Sequence, residues 1–104
     1  MKLFVSLPMR GKTTEQIRQE ITGASQRLLD IKWNEGVELI AISVIDSVFD
    51  LEEGTDPLVY LGKSIELMAQ ADYVFFVKGW EKARGCQVEH LIAEKYGLEI
   101  VEEV

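Results

Sequence analysis

The 104-residue chain has one cysteine, Cys86, one histidine, His90, and two prolines. A lone cysteine excludes an intramolecular disulfide, and with one histidine no cluster has the spacing of a zinc site. No metal is expected, and a reducing compartment fits. Positive charge is also scarce: 11 basic side chains against 18 acidic ones give a net charge of −7. Such a chain repels a phosphate backbone, because nucleic-acid polymers are bound through Lys and Arg that displace counterions. DNA and RNA polymers are thus excluded as main partners. A small phosphorylated ligand stays open, since it needs only one or two local cations.

Long apolar runs are missing too. The apolar stretches are strand-sized, and the N-terminus lacks the basic segment and the apolar core of roughly 7–15 residues that mark a signal peptide. No membrane partner is expected, and the chain reads as cytoplasmic.

What is present is enough for one core. Hydrophobic residues make up 47% of the chain, and a chain of this size buries roughly two thirds of its extended surface on folding. A single domain over 1–104 follows. Leu3 to Leu7, bounded by Pro8 and Gly11, reads as a buried strand, β1. Thr13 and Gln16 form a capping-box pattern, and Ile17, Ile21, Leu28 and Ile31 recur at helical spacing up to Trp33; this is α1. Val37 to Ile45 is continuously apolar near its end, as in a parallel strand covered on both faces, and is β2. Phe49 to Asp56, with its acids and Gly54, is an irregular excursion. Pro57 opens α2, which runs through Tyr60, Leu61, Ile65 and Met68.

Tyr73 to Val77 gives β3. The turn at Lys78-Gly79-Trp80 leads into α3, whose stripe of Val88, Leu91, Ile92 and Tyr96 is expected to face inward, and Gly97 ends it. Leu98 to Val101 supplies β4. Asp72, at the amino end of β3, reads as a structural turn residue. Alternating strands and helices predict an α/β fold: a three-layer Rossmann- or flavodoxin-like sandwich with a parallel sheet of about four strands in the order 2-1-3-4.

In such sheets ligands bind beyond the carboxyl ends of the strands. The site is therefore expected from Ser6 to Lys12 after β1 (Ser6, Pro8, Met9, Arg10 and Gly11 among them), from Asp46 and Ser47 after β2, and from Gly79 to Glu89 after β3. Ser6 to Thr13 precedes a helix N-terminus, where free N–H groups and the helix dipole favour an anion, and Arg10 and Lys12 add charge; an ordinary strand-to-helix turn reads the same way. Gly11-Lys12-Thr13 imitates the end of a Walker A loop, but Ser6 stands where that loop needs glycine. Gly79 and Gly85 mark places where backbone bends or lets a ligand come close. Glu89, one turn into α3, reads either as a surface residue favoured by the dipole or as a carboxylate able to attack a sugar carbon. Trp80 could stack on a base or close the core. Cys86 and His90 share a helical face, but with no orienting third group they read as a half-buried thiol and a solvent-facing imidazole.

The chain resembles a small domain family of uncharacterised function, frequent in bacteria and their phages, within the nucleoside 2-deoxyribosyltransferase-like superfamily. The resemblance covers nearly the whole chain. It is carried by Phe4 to Gly11, Val44 to Ser47, Tyr60 to Ile65, Ala71-Asp72, Gly79 to Glu89, Ala93 and Tyr96-Gly97. It implies that Glu89, four residues after Gly85, is a nucleophile at C1′ of a nucleoside or nucleotide. It also implies that Arg10-Gly11 holds a 5′-phosphate. Trp80 and Met9 then become apolar walls for the base, and Ser64 and Arg84 substrate contacts.

The characterised enzymes of that superfamily usually have Asp at the position of Ser64, and Asp or Ser at that of Ala83. Its transferases complete their site with a neighbouring subunit's C-terminal segment; here the chain stops at Val104, right after β4, and that contribution is expected to differ. The expected function is an N-glycosidase or 2-deoxyribosyltransferase without cofactor, with a non-catalytic nucleotide-binding module as the alternative. Exposed sheet edges predict a homodimer or higher homo-oligomer.

Overall fold

The structure, a computed structural model, describes residues 1–38, 42–48 and 54–104. Its elements are β1 (Lys2–Ser6), α1 (Thr14–Asn34), β2 (Ser43–Val44), α2 (Pro57–Met68), β3 (Tyr73–Phe76), a short 3-10 turn (Trp80–Lys82), α3 (Arg84–Lys95) and β4 (Glu99–Glu102). The four strands form one parallel sheet, as the alternation of elements predicts, in the expected order β2-β1-β3-β4.

Side-chain alternation along the strands sorts the core into two layers. Leu3 and Val5 of β1 and Phe75 of β3 pack under Ile17, Ile21, Ala24 and Leu28 of α1. Phe4, Val74 and Phe76 point the other way and meet Met68 of α2 and Ala93 of α3. β1 and β3 are thus covered on both faces, and Phe4, Phe75 and Phe76 are almost wholly excluded from solvent. Truncating one of these rings to alanine costs about 3–5 kcal/mol. α1 starts where the capping box predicts: the Gln16 amide donates to the Thr13 hydroxyl, and the Gln16 side chain accepts from the Thr13 amide. Asp72 fastens the other end of the sheet by accepting the Lys2 amide at 2.7 Å.

Two expectations are corrected. Among the described residues β2 is only Ser43–Val44, and both are exposed, while Ile42 and Ile45 on either side of it are half-buried against the two opposite core layers. Residues 39–41 of the expected strand, and 49–53 of the expected excursion, lie outside the described residues. On α3 the buried residues are Cys86, Glu89 and Ala93; of the expected stripe Ile92 packs half-buried against the core and Val88 is half-buried, whereas Leu91 and Tyr96 face outward. Leu91 is 53% and Tyr96 80% exposed. The helix is turned so that its small residues press on the sheet, which brings a carboxylate into the interior where β1 offers it a donor.

Candidate functional site

The polar residues buried against the sheet gather at its carboxyl edge. Ser6 ends β1 on the same face as Phe4, and so points toward α3. Across the interior its Oγ donates to Oε1 of Glu89 at 3.3 Å, although the two residues are 83 positions apart. Ser6 is 1% and Glu89 7% exposed. A buried carboxylate with one neutral donor is poorly compensated for lost water. Burial therefore pushes the Glu89 carboxyl up to about 7, with the Ser6 hydrogen bond pulling only weakly the other way.

Cys86, one turn earlier on the same face, is buried rather than half-buried. Its thiol is pushed up to about 11. Burial is the main cause and the nearby Glu89 charge adds to it; the Ser6 hydrogen bond and the Lys12 charge act in the opposite direction.

The start of α3 leaves its first-turn amides available. Ala83, the N-cap residue, has no oxygen to cap with, and no acidic side chain stands in the first turn. Gly85 lies in that turn with open space where a side chain would be. Free amide groups beside a bare glycine suit a negatively charged group approaching the backbone. Gly79, in the left-handed region at φ +93°, makes the bend that feeds the Trp80–Lys82 turn and then this helix.

The structure brings Ser6, Cys86, Gly85 and Glu89 to one place. The other predicted residues are more scattered. Arg10 and Gly11 are exposed on the loop after β1, with Gly11 at φ +79°, and Pro8 beside them is half-buried. Lys12 on that loop is paired with Glu20 at 2.8 Å. Met9 packs against the α1-side core, whereas Trp80 packs against the opposite layer. Asp46 meets Arg18 at 3.5 Å and accepts the Val48 amide at 3.0 Å, forming a local turn. Ser64 is buried on the inner face of α2, and Arg84 is exposed at the first position of α3.

Sequence reasoning put Ser47 in the site but did not show how deeply it is buried, and it missed the surroundings of His90. Ser47, after β2, is fully buried, and its hydroxyl has no hydrogen-bond partner. His90 is not solvent-facing: Trp80 and Phe76 pack on its ring, and carboxylates of Glu94 and Glu102 meet its two nitrogens. That ring borders an open groove of about 630 Å³ along β4, walled also by Ile31, Glu35, Ile100 and Val104. The groove lies along a sheet edge, and two of its carboxylates, Glu94 and Glu102, are engaged with His90. Among the described residues no three His, Cys, Asp or Glu side chains are grouped to hold a metal ion, and no helix is long and apolar enough to cross a membrane.

A family model described as a domain of unknown function, DUF4406, matches residues 1–102. The chain belongs to the DUF4406 family. No curated protein and no solved structure gives a significant match. For this DUF4406 domain, then, the buried carboxylate and its surroundings are the guide to activity.

Proposed function

We propose that this DUF4406 domain belongs to the nucleoside 2-deoxyribosyltransferase-like superfamily and acts on a nucleoside or nucleotide, as an N-glycosidase or 2-deoxyribosyltransferase with Glu89 as nucleophile. One observation carries the reading: a buried carboxylate on the first turns of α3, four residues after a bare glycine in an uncapped helix start. Burying an ionisable group with a single neutral partner costs stability, and proteins hold such groups where chemistry needs them.

In this mechanism a Glu89 carboxylate oxygen attacks C1′ and the C1′–N bond breaks. The base leaves with the bonding pair and takes a proton from solvent. Water or a second base then attacks C1′, and Glu89 is released as carboxylate. With its pKa near 7, a large fraction of Glu89 is ionised at neutral pH and available for attack. The free amides at the start of α3 would take a phosphate or hydroxyl of the ligand, with exposed Arg10 supplying charge.

The same domain is proposed to self-associate in the cytoplasm through α2, where Leu58 and Val59 are 74% and 47% exposed. A second reading, binding without turnover, is favoured by Ala83: an apolar side chain stands at the helix start where a hydroxyl or carboxylate would both cap the helix and meet a sugar.

The test is incubation with nucleosides, 2′-deoxynucleosides and their 5′-monophosphates, with and without a second free base, beside Glu89→Gln. Base release or exchange that disappears in the variant supports the enzyme. Binding that survives without turnover by folded wild-type protein supports the module.

A further inference from the structure

Two consecutive carboxylates at the end of β4 reach into opposite layers. Val101 packs in the α1 layer and Ile100 in the α3 layer, so alternation sends Glu103 toward α1 and Glu102 toward α3. Glu103 is held on several sides. Its own amide donates to the Phe76 carbonyl at 2.9 Å, Nε of Arg27 donates to Oε2, and Oε1 accepts from Nη2 of Arg27 at 3.3 Å and from the Lys78 amide at 3.0 Å. A guanidinium fork that meets both oxygens fixes the direction of a carboxylate, which a point charge would not do. A side chain at Gly23, one turn back on α1, would begin 3.3 Å from Nη1 of Arg27. The bare glycine thus leaves the guanidinium its place, within a helix that glycine otherwise weakens. Glu102 meets Nε2 of His90, whose ring stacks on Trp80.

Lys78 immediately precedes the Gly79 bend, so the two carboxylates hold the link from β3 to α3 at its first residue and, through His90, at Trp80. Within the link, Trp80 donates to Val77 at 3.0 Å, Lys82 to Gly79 at 3.1 Å and Ala83 to Trp80 at 3.0 Å, all backbone to backbone. A displacement of Lys78 is therefore passed on to the start of α3. We infer that Arg27 and Glu103 are positioning residues for the candidate site: acting through the Lys78 amide, they fix the Gly79 bend and with it the place of the free first-turn amides of α3. The consequence for ligand binding rests on the glycosyl-transfer reading; the coupling from α1 to α3 does not. Against the opposing effect of burial, the Arg27 and Lys78 contacts hold Glu103 below the usual carboxylate range, so at neutral pH it is a charged acceptor for the Lys78 amide.

The experiment records amide hydrogen exchange and amide shifts by NMR at neutral pH, in wild type, Glu103→Ala, Glu103→Gln, Arg27→Ala and Arg27→Lys. No ligand is needed. Loss of its acceptor should speed exchange of the Lys78 amide about tenfold in Glu103→Ala, relative to the core amide of Val5. The Gly85 and Cys86 amide signals should move with it. Glu103→Gln keeps an oxygen for Lys78 and should exchange near the wild-type rate. Arg27→Ala should exchange faster than wild type, and Arg27→Lys, which keeps the charge without the fork, should not restore the slow rate. Should Glu103→Ala fail to fold, Arg27→Ala carries the same comparison. An unchanged Lys78 rate, or Gly85 and Cys86 signals that stay in place while Lys78 exchanges faster, overturns the inference. Where a 5′-monophosphate is turned over, its KM should rise about fivefold in Glu103→Ala with kcat little changed, and an unchanged KM overturns the role in the site. Wild-type protein and variants that exchange as expected while wild type turns over nothing refute the glycosyl-transfer reading and leave the coupling standing.

Discussion

Trp80 and His90 lie face to face, ring centroids 4.1 Å apart and planes within 7° of parallel. Phe76 packs on both rings, so three aromatic side chains from β3, the 3-10 turn and α3 form one unit. His90 also reaches Glu102 on β4, which ties the turn that precedes α3 to the far edge of the sheet. Removing the ring should therefore loosen the Gly79–Ala83 segment next to Glu89. His90→Ala is expected to cost about 2 kcal/mol in urea unfolding and to shift Trp80 emission toward that of an exposed indole. Unchanged emission would mean that Trp80 does not depend on His90 for its environment.

Glu89 should be a stability liability when charged. Its folded pKa of about 7 lies above the ordinary 4.5, so the protonated form suits the folded state. Stability from this group is fully present below about pH 4.5 and is lost as pH rises toward and through 7. Glu89→Gln does not titrate and keeps an amide for Ser6. Between pH 4 and pH 8 the variant should gain up to about 3 kcal/mol relative to wild type, measured by urea unfolding at both pH values. A pH-independent difference would argue that Glu89 is not desolvated.

Cys86 is expected to be inert while the protein is folded. With its pKa at about 11, roughly one thiol in a thousand is ionised at pH 8, and the sulfur is also buried. Reaction with a disulfide reagent should be at least about a hundredfold slower in native protein than in urea. Comparable rates would show that α3 opens readily.

Glu103 gives the opposite pH signature. Burial alone would raise its pKa, but hydrogen bonds from Arg27 and the Lys78 amide, with the charges of Arg27 and Lys78, outweigh that and hold it below the usual carboxylate value. Its contribution is present above about pH 4.5 and lost as pH falls through the lowered value. Arg27→Ala should therefore flatten the loss of stability below pH 4.5, checked by thermal melts from pH 3 to 6. Equal slopes in the two proteins would contradict this.

Much of the fold was legible because its signals are local. The capping box at Thr13 and the apolar spacing of Ile17, Ile21 and Leu28 fixed α1, and alternating elements pointed to a parallel sheet. The inward face of α3 was misread in part for a physical reason: the hydrophobic stripe at Val88, Leu91, Ile92 and Tyr96 looks like a core face only if buried positions must be apolar. Here small Cys86 and Ala93 let the helix sit close, and Glu89 enters between them because Ser6 offers a hydrogen bond from a distant strand. No window of sequence contains that pairing. The stack of His90 on Trp80 was hidden likewise, since it depends on how the 3-10 turn folds back over α3. The grouping of Gly85 with Glu89 was readable, being one turn of a single helix.

The alternation of β1 has a consequence for what changes the chain can tolerate. Phe4 and Ser6 look toward α3 while Leu3 and Val5 look toward α1, and the register with β3 pairs Ser6 with Phe76. One residue inserted or deleted ahead of Ser6 would turn an apolar side chain toward Glu89 and rotate the serine to the opposite layer. A frame error of a single position would thus strip the carboxylate of its donor while leaving composition, length and helix content almost unaltered.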